Sequence, residues 1–331
     1  MTNDCLRSAW RPRCAGRTMI ALVLATTLSP RPLVVAYVPN WIDLAAFAET
    51  IDYAKVTHLN VAFENPVDDA GNLSFNPADA VLVKKGHAKG VKVLVSIGGG
   101  AATDAAFLKR AFALIAPPNR ASFVRKLTDY VVAHGFDGLD VDLEGPAINA
   151  DYGPFVRELA TALKRRRKLL TAALSKGYGG DRVPDDVLRA FDFVNVMAYD
   201  ATGPWAPDRP GQHASFDFAK ENVAYWLAHG LPKSKTVLGV PFYGYGFGTD
   251  FRSRDWPYRE ILAAHPDAAK KDEVASTVWY NGATTIRAKA EYVVKEGLAG
   301  AMIWSLDSDA PGEGSLLTVL DAALRAKTPL P

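Results

Sequence analysis

Four carboxylates fall within eight residues of an otherwise apolar stretch, Phe136-Asp137-Gly138-Leu139-Asp140-Val141-Asp142-Leu143-Glu144-Gly145. From Asp140 onward the spacing has period two, the period of a β-strand. Asp140, Asp142 and Glu144 therefore share one face, while Leu139, Val141 and Leu143 share the other. Same-face neighbours on a strand lie about 6.5–7 Å apart, so the acids form a row on one wall. Like charge at that density is costly to bury unless some groups are protonated, hydrogen-bonded or paired. A row of this kind offers acid–base chemistry and stabilisation of positive charge, provided that a strand with one apolar face holds it in line.

The elements that position the row follow from the pattern along the chain. From Leu33 onward, apolar strand-like runs alternate with amphipathic segments. The expected strands are Leu33–Val38, Thr57–Phe63, Val91–Ile97, Gly138–Leu143, Leu169–Leu174, Phe193–Ala198, Thr236–Val240 and Gly300–Trp304. Helical patterns lie between them, over 43–50, 77–89, 104–115 with 120–133, 152–167, 184–190, 216–228, 284–296 and 315–326. Eight strands each followed by a helix is the count of a (β/α)8 TIM barrel, and residues 31–331 read as one catalytic domain of that class. A doubly wound sheet has fewer strands, and its dinucleotide fingerprint is missing at the first turn.

In such a barrel the C-terminal strand ends converge on the face that carries the chemistry. Those ends hold Tyr37 and Trp41, Phe63 and Glu64, Ser96 with Gly98–Gly100, Asp142 and Glu144, Ser175, Met197 with Tyr199 and Asp200, Phe242 and Tyr243, and Trp304. Aromatic faces stack on the C–H faces of sugar rings, and carboxylates bond hydroxyls and protonate glycosidic oxygens. A carbohydrate cleft is the chemistry this ring of side chains suits.

The 331 residues are 49% hydrophobic and 22% charged, with a formal net charge of +2. No basic stripe dominates, which argues against a nucleic-acid partner. Lys164-Arg165-Arg166-Arg167-Lys168 reads as a solvated helix end whose cations complement the dipole. Residues 1–30 read as an export leader: Arg7, Arg11, Arg13 and Arg17 precede the apolar run Met19–Leu28, which is too short to span a bilayer. No clear cleavage site follows, and a start at Met19 is the alternative. Both cysteines, Cys5 and Cys14, lie in this leader, so the mature chain needs no disulfide. A secreted or periplasmic monomer without a membrane span is expected.

Four motifs, in order, resemble glycoside hydrolase family 18, the chitinases and related endo-acting N-acetylglucosaminidases. Ser96-Ile97-Gly98-Gly99 is similar to the third-strand motif and Asp137-x-x-Asp140-x-Asp142-x-Glu144 to the catalytic fourth strand. Met197-Ala198-Tyr199-Asp200 is similar to the sixth strand, and Trp304 to the tryptophan that ends the eighth. The resemblance covers roughly residues 33–325 and implies retaining hydrolysis without a protein nucleophile, a recognised exception to the two-carboxylate scheme. It implies that Glu144 is the general acid and base, and that the substrate's own 2-acetamido oxygen attacks the anomeric carbon to give an oxazolinium. Asp142 would hold the acetamide nitrogen and Tyr199 its oxygen. Asp140 would share a proton with Asp142, with Ser96 and Asp137 supporting that pair. Substrate contacts would come from Tyr37, Phe63, Gly98, Gly99, Met197, Asp200, Tyr243 and Trp304, the last as the floor of the cleavage site. The resemblance also implies cis peptides at Ala62-Phe63 and Trp304-Ser305.

The chain departs from the family pattern in places. Leu143 stands where an aromatic is common, and Tyr243-Gly244-Tyr245 where an Arg often follows Tyr-Gly. The segment 242–277 is too short for a full α+β insertion between the seventh and eighth strands, which suggests a shallow groove and endo-type cleavage. Asp-x-Asp-x-Glu is also a donor set for a hard cation, but the six scattered histidines complete no site, so neither metal nor cofactor is expected. Gly98-Gly99-Gly100 lacks the Lys-Ser/Thr ending of a phosphate loop and fits close sugar approach. Trp205, Phe247, Trp256 and Trp279 are each equally open to a sugar contact and to packing. The expected partner is an N-acetylglucosamine polysaccharide or glycan: chitin, or else the core of N-glycans or peptidoglycan. A catalytically weak lectin of the same fold is the rival of another class.

Overall fold

The computed structural model describes Met1 and residues 31–326; the expected leader, with both cysteines, lies outside the described residues. Twelve strands follow in chain order: β1 (Leu33–Pro39), β2 (His58–Ala62), β3 (Lys92–Gly98), β4 (Gly138–Asp142), β5 (Leu169–Leu174), β6 (Phe193–Val196), β7 (Thr236–Pro241), β8 (Tyr243–Gly246), β9 (Trp256–Pro257), β10 (Glu273–Val274), β11 (Val278–Trp279) and β12 (Gly300–Trp304). The first seven and β12 form a closed parallel barrel in which β12 pairs with both β7 and β1, setting Met302 opposite Val35. The helices are α1 (Leu44–Thr50), α2 (Asp79–Ala88), α3 (Ala105–Ile115), α4 (Pro117–Ala133), α5 (Tyr152–Arg165), α6 (Phe216–Ala228), α7 (Tyr258–Ala264), α8 (Ala283–Glu296) and α9 (Leu316–Arg325).

Strand parity divides the core in two. Val34, Ala36 and Val38 of β1, with Leu139 and Val141 of β4, face the helix layer and meet Leu127, Val131, Phe155 and Leu159 of α4 and α5. Val35, Tyr37, Ala173, Phe193, Val237 and Met302 fill the barrel interior. Each leucine- or phenylalanine-sized side chain buried this way contributes about 1.5–3 kcal/mol relative to exposure. Four helices begin where a side chain accepts from a first-turn N–H: Asp43 for α1, Asp104 for α3, Ser215 for α6 and Ser315 for α9. Such caps contribute about 1 kcal/mol each.

One local difference from the sequence pattern has a physical reason. The stretch 184–190 forms a 3-10 turn, Asp185–Ala190, in place of an α-helix. Only six residues separate Pro184 from Phe191, and the turn buries Val187 and Leu188 without building an i→i+4 ladder. The insertion after β7 is a miniature. β8 to β11 make a four-stranded antiparallel sheet in the order β10-β11-β8-β9, with the seven-residue α7 attached. Among the described residues no helix is long and apolar enough to cross a membrane.

Candidate active site

Strand register explains how the acid row is held. Ser96 of β3 pairs with Asp140 of β4, and Asp140 pairs with Thr171 of β5, so two hydroxyls flank one carboxylate. Ser96 donates to Asp140 Oδ2 at 2.8 Å and Thr171 donates to Oδ1 at 2.5 Å. Tyr37 adds a 2.6 Å bond to Oδ2, and Asn195 of β6 lies 3.5 Å from Oδ1 and 3.2 Å from the Tyr37 hydroxyl. Burial raises the Asp140 pKa, while these four donors oppose the rise by favouring the charged form. Asp142, one pleat further, is also buried, and its Oδ1 has no hydrogen-bond partner. Its pKa is raised well above the usual carboxylate range by burial first, then by the charges of Glu144 and Asp140.

Glu144 lies just beyond β4 and lines a hollow of about 570 Å³ with Gly99, Ser175, Tyr178, Met197, Tyr199, Asp200 and Trp205. Its pKa is raised to about 7, chiefly by burial and then by the charge of Asp200. Asp200 follows β6 in the left-handed region (φ 63°), which aspartate tolerates better than bulkier residues. Its Oδ1 accepts from Tyr243 at 2.5 Å and from Tyr245 at 3.0 Å. The buried Tyr199 hydroxyl makes only a weak contact to Met302 Sδ at 3.9 Å. Its pKa is pushed far up by burial and by Asp142, Asp200 and Glu144, so it is a phenol that can donate.

A second hollow, of about 450 Å³, meets the first at Asp200 and Trp205 and is lined by Tyr243, Tyr245, Phe251 and Trp304. Trp304 stacks on Phe63 with centroids 5.7 Å apart, and Phe63 stacks in turn on the exposed Trp41 at 6.5 Å. The peptides Ala62-Phe63 and Trp304-Ser305 that carry this stack are both cis, as the motif resemblance implied. Gly98 and Gly99 are there for space and conformation. Both have positive φ, and a Cβ would come within 2.1 Å of the Asp142 carbonyl oxygen or 2.2 Å of the Phe63 ring.

Not every expected site residue joins this cluster. Asp137 sits at the other end of β4, about 16 Å of strand from Asp142 at the usual rise. Its Oδ2 accepts from the Val93 N–H and contacts His87 Nε2, each at 2.8 Å. It latches α2 to β3 and supports no part of the row. Asp140 and Asp142 interact through charge, because both oxygens of Asp140 are engaged by the hydroxyls and Asn195. Tyr37, expected among the sugar contacts, is 1% exposed and spends its hydroxyl on Asp140. Of the four ambiguous aromatics, Trp205 stands exposed in the cleft. Phe247 and Trp256 are buried, and Trp279 packs edge-on against Phe247. Thr171 and Asn195 escaped the sequence reading, although each is a polar residue at an inward position of an otherwise apolar strand. Tyr178 escaped as a cleft-lining residue for a different reason: a loop sets its orientation.

A closed parallel barrel with an inward acid row at the end of its fourth strand, ringed by tyrosine and tryptophan, is the architecture of a glycoside hydrolase. The sequence matches the model of glycosyl hydrolases family 18 over residues 33–309, and the chain belongs to that family. A class V chitinase of Arabidopsis thaliana is 31% identical over 278 residues, covering 74% of this chain and 72% of the relative. The structure of the GH18 chitinase ChiB from the chitin utilization locus of Flavobacterium johnsoniae is 39% identical with a TM-score of 0.83, over 89% of this chain and 94% of the other. Catalytic domain 2 of the Ostrinia furnacalis group II chitinase, solved with (NAG)5, is 25% identical with a TM-score of 0.75, over 90% of this chain and 97% of the other.

Proposed function

We propose that the protein is a retaining endo-glycosidase that cleaves β-1,4 linkages in N-acetylglucosamine polymers of the chitin type, by substrate-assisted catalysis. One observation carries this reading: a buried carboxylate oxygen without a partner, Asp142 Oδ1, lies in the same site as a phenol with only a sulfur to donate to, Tyr199. An acceptor and a donor so placed complement the N–H and C=O of an acetamide, and a site that leaves both groups underused rejects sugars without one. The chitinase neighbour solved with (NAG)5 supports the same substrate class.

The reaction follows from the protonation states. Glu144, half protonated near neutrality, gives its proton to the glycosidic oxygen as the C1–O bond breaks. The acetamide oxygen, oriented by Tyr199, forms the new bond to C1 and leaves an oxazolinium whose positive charge faces Asp142. Water then attacks C1, the bond from C1 to the acetamide oxygen breaks to restore the amide, and the Glu144 carboxylate takes the water's proton, so two displacements retain the configuration and restore the acid. Trp304 forms the floor under the sugar. The miniature insertion suits an open groove and internal cleavage, and the basic, then apolar leader suits an exported enzyme.

Product analysis on chitin oligomers and on a high-mannose glycopeptide in parallel tests the reading. Release of short oligomers from chitin alone is expected. Cleavage of the glycopeptide alone would move the substrate to N-glycans, and cleavage of neither would favour a lectin.

A further inference from the structure

A second pair of carboxyl groups is buried outside the acid row. Glu64 follows the cis-linked Phe63, and Asp79 opens α2; each residue is 1% exposed. Among the described residues no Lys, Arg or His forms an ion pair with either, and Glu64 Oε2 and both Asp79 oxygens lack a hydrogen-bond partner, although the two carboxyls act on one another. Two neighbouring carboxyls buried without a cation hold a proton between them. Glu64 Oε1 already accepts from Asn40 Nδ2 at 2.9 Å and from the Asn76 N–H at 2.8 Å, which leaves Glu64 Oε2 to accept a proton carried by Asp79. Once Asp79 is the donor, the bare Glu64 Oε2 and one of the two bare Asp79 oxygens gain a partner.

The surrounding bonds show what the pair holds. Asn40 donates from Nδ2 to the Phe63 carbonyl at 3.1 Å as well as to Glu64, and Asn76 Nδ2 donates to the Asn40 carbonyl at 2.7 Å. Asn40 directly precedes Trp41, and Glu64 directly follows Phe63. The knot therefore ties together the chain after β1, the end of β2 and the approach to α2, at the root of the Trp41–Phe63–Trp304 stack.

We infer that the Glu64–Asp79 carboxyl pair, sharing one proton, is a positioning device for the aromatic wall formed by Trp41, Phe63 and Trp304. The inference rests on the reading of that wall as the surface that binds N-acetylglucosamine units. Loss of the shared proton sets two carboxylates against each other in an apolar pocket, and the knot loosens where the sugar would stack. Asp79 has its pKa raised to about 8 by burial first and then by Glu64, so the proton is held at neutral pH and given up in mild alkali. Among the described residues Tyr130 of α4 also faces the pair; its pKa is raised by burial and then by both acids, so it stays neutral throughout.

The test uses N-acetylchitotetraose binding to the Glu144→Gln protein, with and without Asp79→Asn, followed from about pH 6 to about pH 9.5. The asparagine keeps a donor toward Glu64 that cannot titrate. The parent should weaken by about fivefold or more across this range, while the Asp79→Asn protein should hold within about twofold. Titration of Asp142 acts on both proteins alike, so the difference belongs to Asp79. Equal pH dependence in the two proteins, or none in the parent, would overturn the inference. If neither protein binds the sugar, the substrate reading fails, and near-ultraviolet circular dichroism without sugar decides the positioning claim. An alkaline change present in the parent and missing in Asp79→Asn supports it; identical traces overturn it.

Discussion

Glu144 and Asp200 line one hollow from the ends of β4 and β6, and after burial it is the Asp200 charge that lifts the Glu144 carboxyl to about 7. The acid needs that lift, because an ordinary glutamate would be almost wholly ionised at neutral pH. Asp200→Asn removes the negative charge and lowers the Glu144 pKa. The alkaline limb of the kcat/KM profile on a chitin oligomer should then move to lower pH, with activity near pH 7 falling several-fold, about 3–10-fold, and little change on the acid side. An unmoved limb would show that burial alone sets the proton.

Glu144→Gln should lower kcat by about 10²–10⁴-fold while leaving chito-oligosaccharide affinity in place. It should also stabilise the fold. The folded-state pKa is raised from 4.5 to about 7, so the native protein binds more protons than the unfolded chain between these values, and stability falls as pH rises through them. Glutamine has no such penalty. Its melting temperature should match the parent near pH 4 and exceed it near pH 8, as scanning calorimetry would show.

Tyr199→Phe tests the donor half of the acetamide site. The phenol makes no strong bond within the protein, so its removal should leave stability unchanged. One donor aimed at developing charge is worth about 10²–10³ in kcat, and steady-state kinetics should find a loss of that order.

Thr171→Val tests the clamp on Asp140. It removes the 2.5 Å donor from a buried carboxylate without changing side-chain volume much. Urea unfolding should show a loss of about 1–3 kcal/mol. The same change made together with Ser96→Ala should cost less than the sum, because both act through one carboxylate.

Asp137→Ala separates latch from machinery. It breaks the contacts to His87 and the Val93 N–H and should cost about 1 kcal/mol in urea unfolding. The pH profile of kcat/KM should stay where it was. A shifted profile would return Asp137 to the acid row.

The barrel was legible in the chain because parity and turn spacing are local signals. Leu139 and Val141 announce a strand with one apolar face wherever they are placed. The acid row was legible for the same reason. What the row rests on was not. Thr171, Asn195 and the Tyr37 hydroxyl reach Asp140 through register and barrel closure, which a single strand's pattern does not encode. Asp137 was misplaced because a motif counts residues along the chain, while a strand carries its two ends to opposite faces of the barrel. Tyr178 and Trp205 sit on loops, where side-chain direction depends on neighbours remote in sequence.

The solitary oxygen of Asp142 also says something about the enzyme at rest. A buried acceptor without a donor is a local deficit, and an N–H delivered in the right place would relieve it. Small amides that fit should therefore raise the melting temperature as well as occupy the site, whereas their esters should do neither. Thermal shift, with no turnover assay, would sort inhibitor scaffolds by that single hydrogen.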